Sequence, residues 1–161
     1  MTKKLSNTAY IALGSNQGDR CATIIRSLDM LDESENIATA MVSQLIETEA
    51  VGGPADQPPF LNGAAELRTS LSAQELLGIM LDIEHKLGRQ RREKWGQRTI
   101  DLDLLLFEQQ VIDLPQLKLP HPLMHKRLFV LAPLVEIAPN IIHPTLNRTI
   151  KQIHDTLAQC Q

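Results

Sequence analysis

Apolar positions along this chain come either as short dense runs or as longer stretches spaced at helical intervals, and the two patterns alternate. Residues 9–13 form a compact apolar run that predicts a strand, ended at GSNQG where Gly14, Asn16 and Gly18 supply turn chemistry. A helical stretch follows to about Leu31. Residues 37–48, rich in β-branched and apolar side chains, predict a second, long strand. FLNGAAELRT, residues 60–69, predicts another. Ser72 and Glu75 then stand at S-x-x-E spacing, a capping box for a helix through Leu87 closed by Gly88. IDLDLLLF, residues 100–107, has strand composition and predicts pairing with residues 111–113 across a short EQQ connection. A helix is expected over 128–137, interrupted near Pro133, and a closing helix over 149–157. Two stretches keep no rhythm: residues 49–59, with two glycines and three prolines, and residues 89–99.

Strands interleaved with helices and at least one tight hairpin predict an α+β class, an antiparallel or mixed sheet covered by helices. At 161 residues the chain is expected to form one domain, residues 1–161, with a real core. A formal charge of -3 gives no sign of a general nucleic-acid binder or a membrane-surface protein, and no stretch approaches the roughly 18 apolar residues a membrane span needs. Cys21 and Cys160 lie near opposite ends without metal or disulfide spacing, and Lys3 and Lys4 precede only AYIAL, too short for a signal segment. These features predict free thiols and a cytoplasmic protein.

The run at 100–107 carries an anomaly, because aspartate is depleted from strands and two occur there, at positions 101 and 103. Alternation puts Asp101 and Asp103 on one face and Ile100, Leu102, Leu104 and Leu106 on the other. A bare D-x-D is more often a solvated face than a site. Two carboxylates side by side repel, however, and a divalent cation relieves the repulsion; Mg²⁺ is the ion normally held by one or two carboxylates plus phosphate oxygens. Just upstream, Arg89, Arg91, Arg92, Lys94 and Arg98 face the single acid Glu93, a cluster suited to a polyphosphate. Neither GxxxxGK[ST] nor GxGxxG occurs, so neither a P-loop nor a protein-kinase phosphate cradle is available. Phe60, with Asn62 two residues on, would suit a flat heterocycle, although a core Phe beside a turn Asn reads equally well. A nucleotide-binding module without chemistry and a single-phosphoryl kinase share these charges, and spacing alone does not separate them.

Four segments together resemble one family: YIALGSNQGD (10–19), DQPPFLNGAAEL (56–67), LGRQRREKWGQRTIDLDLLLF (87–107) and LPHPLMHKRLFVLAPLVEIAP (119–139). The family is 6-hydroxymethyl-7,8-dihydropterin pyrophosphokinase, which moves the β,γ-diphosphate of ATP to a pterin alcohol in folate biosynthesis and releases AMP. The resemblance implies a ferredoxin-like sandwich, a monomer, and ATP and the pterin as small-molecule substrates. It implies that Asp101 and Asp103 hold two Mg²⁺ ions. Arg89, Arg98, His121 and Arg127 would grip the triphosphate, with Arg91 and Arg92 as helpers, Glu84 near the nucleotide and Trp95 on a closing loop. Phe60 and Phe129 would sandwich the pterin, Asn62 would read its edge, and Thr48 and Val51 would contact it through backbone. The segments 49–59 and 89–99 are expected to close over the substrates. The chain departs from the family pattern in a shorter 89–95 stretch and in Pro122 after the histidine.

Overall fold

The computed structural model describes residues 4–49, 57–88 and 100–160. Chain order is β1 (Asn7–Ser15), α1 (Arg20–Asp32), β2 (Ile37–Val42), β3 (Ile46–Thr48), β4 (Phe60–Thr69), α2 (Ala73–Lys86), β5 (Asp101–Phe107), β6 (Ile112–Leu114), β7 (Leu117–Leu119), α3 (Leu128–Ile137) and α4 (Ile150–Gln159). The sheet runs β2-β4-β1-β5 with β3 also on β4, and every pairing is antiparallel. Two βαβ halves interleaved in this order make the ferredoxin-like split arrangement. No helix among the described residues is long and apolar enough to cross a membrane.

Helix ends follow local chemistry. Ser72 Oγ accepts from Glu75 N–H at 3.1 Å while Glu75 Oε1 accepts from Ser72 N–H at 3.0 Å, so the predicted capping box starts α2. Gly88 takes φ +93, the left-handed conformation that lets the chain turn off the helix. Asp19 caps α1 by accepting from Ala22 N–H at 3.1 Å, and Thr149 opens α4 with a second capping box.

Three expectations need correction. The long strand 37–48 is broken into β2 and β3: Ser43 Oγ accepts from Ala64 N–H at 2.9 Å, and Gln44 N–H goes to the Glu136 carboxylate at 3.0 Å. Side chains there take bonds that a continuous ladder would have used. Nor does the 111–113 region pair with β5. β6 pairs with β7 across a two-residue Pro115 and Gln116 connection, the length hairpins favour, while β5 takes β1 as its partner. Finally, α3 continues through Pro133, which only removes the N–H that the Phe129 carbonyl would have accepted.

The sheet has a core on each face. On one, Ile11, Leu13, Leu67, Leu102, Leu104 and Phe107 pack against Ile24 and Leu31 of α1 and Leu76, Met80 and Ile83 of α2. On the other, Tyr10, Ala64, Leu105 and Leu106 pack against Val130, Leu131 and Leu134 of α3 and Ile150 and Ile153 of α4.

Candidate active site

β5 is the edge strand next to β1, and its first half presents the two aspartates. Asp101 lies opposite Gly14 and Asp103 opposite Ala12, while Leu102 and Leu104 face Leu13 and Ile11 in the first core. Asp103 is exposed and Asp101 half-buried. The expected alternation fails at Leu106, because a bulge shifts the register between Tyr10 and Ile11 and leaves Leu105 as the extra residue. Leu106 therefore joins the aspartates' face and packs in the second core, and Phe107 takes its place in the first. The bulge lets one strand end in carboxylates on the same face that it later seals with leucines.

A cavity of about 340 Å³ opens along β5, walled by Leu77, Leu81 and Glu84 of α2, by residues 101–104, by residues 115–118 of the hairpin, and by His121 and Pro122. Its lining mixes leucines with the charged Glu84, Asp101, Asp103 and Lys118, the character of a pocket for a small molecule with apolar and charged parts. Glu84 is 4% exposed and its Oε2 accepts from Leu102 N–H at 2.8 Å, so it ties α2 to the strand beside the aspartates. His121 N–H donates to the Leu105 carbonyl at 2.9 Å, and its Nδ1 accepts from Leu123 N–H at 3.2 Å. The neutral ring thus carries its proton on Nε2. Burial holds the His121 pKa below the usual histidine value; Asp103 pulls it up and Arg127 pushes it down, which puts these three groups within one another's field. The Arg127 guanidinium in turn lies 5.7 Å from the Phe129 ring centroid.

A second group of side chains lies across β1 from the aspartates. Thr48 pairs with Phe60 and Ile46 with Asn62, and Asn62 Nδ2 donates to Thr48 Oγ1. Phe60 and Phe129 are both half-buried, Phe129 at the start of α3 against the second core. The structure therefore brings together Glu84, Asp101, Asp103, His121 and Arg127 on one side, and Thr48, Phe60 and Asn62 on the other. Val51, Arg89, Arg91, Arg92, Trp95 and Arg98 lie outside the described residues.

Among the described residues no group of three or more His, Cys, Asp or Glu side chains could hold a metal ion. The two aspartates alone make an incomplete, all-oxygen donor set. Such a set fits Mg²⁺, which takes its remaining ligands from phosphate and water, and does not fit a zinc site.

Several residues at the site carry no sequence signal of their own. Leu77, Leu81, Gln116 and Lys118 line the cavity, but on the sequence the leucines read as helix core and the others as turn. Arg20 is another: its Nη2 meets Glu47 at 2.8 Å and its Nη1 donates to the Pro59 carbonyl at 2.9 Å, which clips the two roots of the 49–59 segment. The signal available was its place at the first turn of α1, which gave no hint of its partners.

Residues 10–139 match the family profile described as 7,8-dihydro-6-hydroxymethylpterin-pyrophosphokinase (HPPK). The 2-amino-4-hydroxy-6-hydroxymethyldihydropteridine pyrophosphokinase of Bacillus subtilis (strain 168) is 47% identical over 137 residues, covering 85% of this chain and 81% of that protein. The protein of the same name from Aquifex aeolicus (strain VF5) is 42% identical over 145 residues, covering 90% and 89%. Among solved structures, wild-type HPPK-DHPS of Plasmodium falciparum with pterin and p-hydroxybenzoate superposes with a TM-score of 0.74 at 16% identity, over 96% of this chain and 44% of that one. At that identity the likeness concerns the fold, and this chain spans less than half the length of that protein.

Proposed function

The chain belongs to the HPPK family and is a pyrophosphokinase of folate biosynthesis that moves a diphosphate from ATP to hydroxymethyldihydropterin, and from that premise we propose how its residues divide the task. The observation that carries the assignment is the row across the sheet at Gly14, with Asn62 on one flank and Asp101 on the other. The pterin lies against Phe60 and Phe129, its edge read by Asn62 with Thr48 and Val51 beside it. ATP occupies the cavity along β5, with Glu84 and Trp95 near the nucleotide and Arg89, Arg98, His121 and Arg127 on its phosphates, helped by Arg91 and Arg92. Asp101 and Asp103 would hold Mg²⁺, as two ions bound together with the phosphates. When bound, the metal supplies charge neutralisation that makes the β-phosphorus open to attack.

Diphosphoryl transfer proceeds through a loose transition state, so catalysis consists of alignment and charge stabilisation. The pterin hydroxymethyl oxygen attacks the β-phosphorus in line, the bond to the α-phosphate bridging oxygen breaks, and AMP leaves. His121, with Nδ1 already engaged by Leu123 N–H, offers its Nε2 proton as a donor to a phosphate oxygen. The arginines take up charge that develops on the bridging oxygen. No indispensable general base is required, because the hydroxyl proton is lost late and to water. The 161 residues act as one pyrophosphokinase domain, as a monomer in the cytoplasm.

The deciding experiment identifies the nucleotide product from Mg-ATP with and without 6-hydroxymethyl-7,8-dihydropterin. AMP that appears only with the pterin is expected. ADP would overturn the choice of bond, and absence of turnover by folded protein would overturn the reaction.

A further inference from the structure

The row that joins the two halves of the site has a residue without a side chain at its centre. Gly14 of β1 lies opposite Asn62 of β4 and, on its other side, opposite Asp101 of β5. Directly opposed residues in antiparallel strands share a face, so amide, glycine and carboxylate stand abreast. A methyl group at Gly14 would lie 3.2 Å from Asn62 Oδ1, 3.7 Å from Phe60 Cδ1 and 3.9 Å from the Asp101 Cβ. Side chains from both halves converge on that one small volume.

Backbone conformation does not explain the glycine. Among the described residues only Gly18 and Gly88 are glycines with positive φ, so Gly14 keeps a strand conformation that alanine adopts freely. A strand glycine packs nothing and weakens the strand, which makes the question one of space. The closest neighbour has little freedom to retreat. Asn62 is 8% exposed and its Nδ2 is engaged by Thr48 Oγ1. An added methyl would therefore push the amide carbonyl aside, whereas Asp101 and Phe60 would meet it at ordinary contact distance.

Resting on the pyrophosphokinase assignment above, we propose that Gly14 is a positioning residue for the transfer: its missing side chain lets the Asn62 amide stand where it reads the pterin edge. It also leaves open the volume between amide and carboxylate in which the hydroxymethyl group reaches the diphosphate. The residue acts on the pterin half through Asn62 and leaves the nucleotide half unchanged.

Gly14→Ala tests this, with pterin binding followed by its own fluorescence beside a non-hydrolysable ATP analogue, analogue binding measured separately, and AMP release assayed. Pterin affinity should fall about tenfold, the loss of one hydrogen bond, while analogue affinity stays within about twofold. The urea midpoint should change little, because the restriction alanine places on the unfolded chain offsets the displacement of one side chain. In an Asn62→Ser background the same methyl should add less than about twofold, because the group it displaces is gone. Unchanged pterin affinity in Gly14→Ala beside a wild type that turns over normally would overturn the proposal alone. Equal losses for both ligands with a lower midpoint would overturn it too, as would a full additional loss in the Asn62→Ser background. A wild type that binds no pterin would overturn the assignment beneath it and the proposal together.

Discussion

At the scale of single residues, the two aspartates answer most directly to the assigned chemistry. Asp101→Asn and Asp103→Asn keep the side-chain shape and remove the charge, so each should lower AMP release by about a hundredfold or more while pterin affinity stays within a few-fold. Steady-state assays with pterin titrations check both halves of that statement. The aspartates were legible in the sequence because they broke a strand pattern; Gly14 was not, since a glycine beside Asn16 and Gly18 reads as turn chemistry. His143 offers a separate test, on the connection between α3 and α4. It is 3% exposed, and its Nδ1 accepts from Thr145 N–H at 3.3 Å and Leu146 N–H at 3.1 Å, so the fold is built around the neutral ring. Burial first, then repulsion from His125, holds its pKa below the ordinary 6.5. Between the lowered folded value and the ordinary one the unfolded chain binds more protons, so stability rises with pH there. The contribution is complete above about pH 6.5 and is lost as pH falls through the folded value. Urea midpoints at pH 7.5, 6.5 and 5.5 should show this decline, and His143→Gln should flatten it.

Elements show which local signals carry and which do not. Helix starts are written in a few adjacent residues, which is why the Ser72 and Glu75 box was readable. Ser72→Ala should lower stability by about 1 kcal/mol in urea titrations and leave the pterin KM untouched. Strand partners are another matter. The pairing of β6 with β7 and the bulge at Leu105 are set by what lies across the sheet, and nothing in IDLDLLLF marks the slip that turns Leu106 to the other face. Arg20 is of the same kind, because its partners Glu47 and Pro59 are distant in sequence and flank the 49–59 segment. Its ion pair is partly exposed, so Arg20→Ala should change stability by less than about 1 kcal/mol. Release of the two strand ends beside Thr48 and Phe60 should instead raise the pterin KM about three- to fivefold with kcat nearly unchanged. Steady-state kinetics beside urea titrations separate the two variants: one moves stability alone, the other KM alone.

Across the whole molecule, the two cores have different duties. The α1–α2 core backs the sheet and lends the cavity its α2 wall, whereas the α3–α4 core lies on the aspartates' face and carries Arg127 and Phe129 at the start of α3. Leu31 and Leu134 are both 0% exposed, one in each core, and truncating either to alanine should destabilise by about 2–5 kcal/mol. Their effects on function should diverge. Leu31 sits near the end of α1, which leads into Ile37, and Ile37 aligns with Thr69 and Asn7, far along the strands from the row of Asn62, Gly14 and Asp101. Leu134→Ala loosens the helix that presents Phe129 and Arg127, so the pterin KM should rise several-fold at temperatures where the variant is still fully folded. Leu31→Ala, matched in lost stability, should leave KM within about twofold, because rigid elements transmit little where the displaced atoms do not touch the site. Equal KM changes in the two variants would mean that the site responds to global stability and not to the α3 layer, and the division of labour between the cores would have to be abandoned.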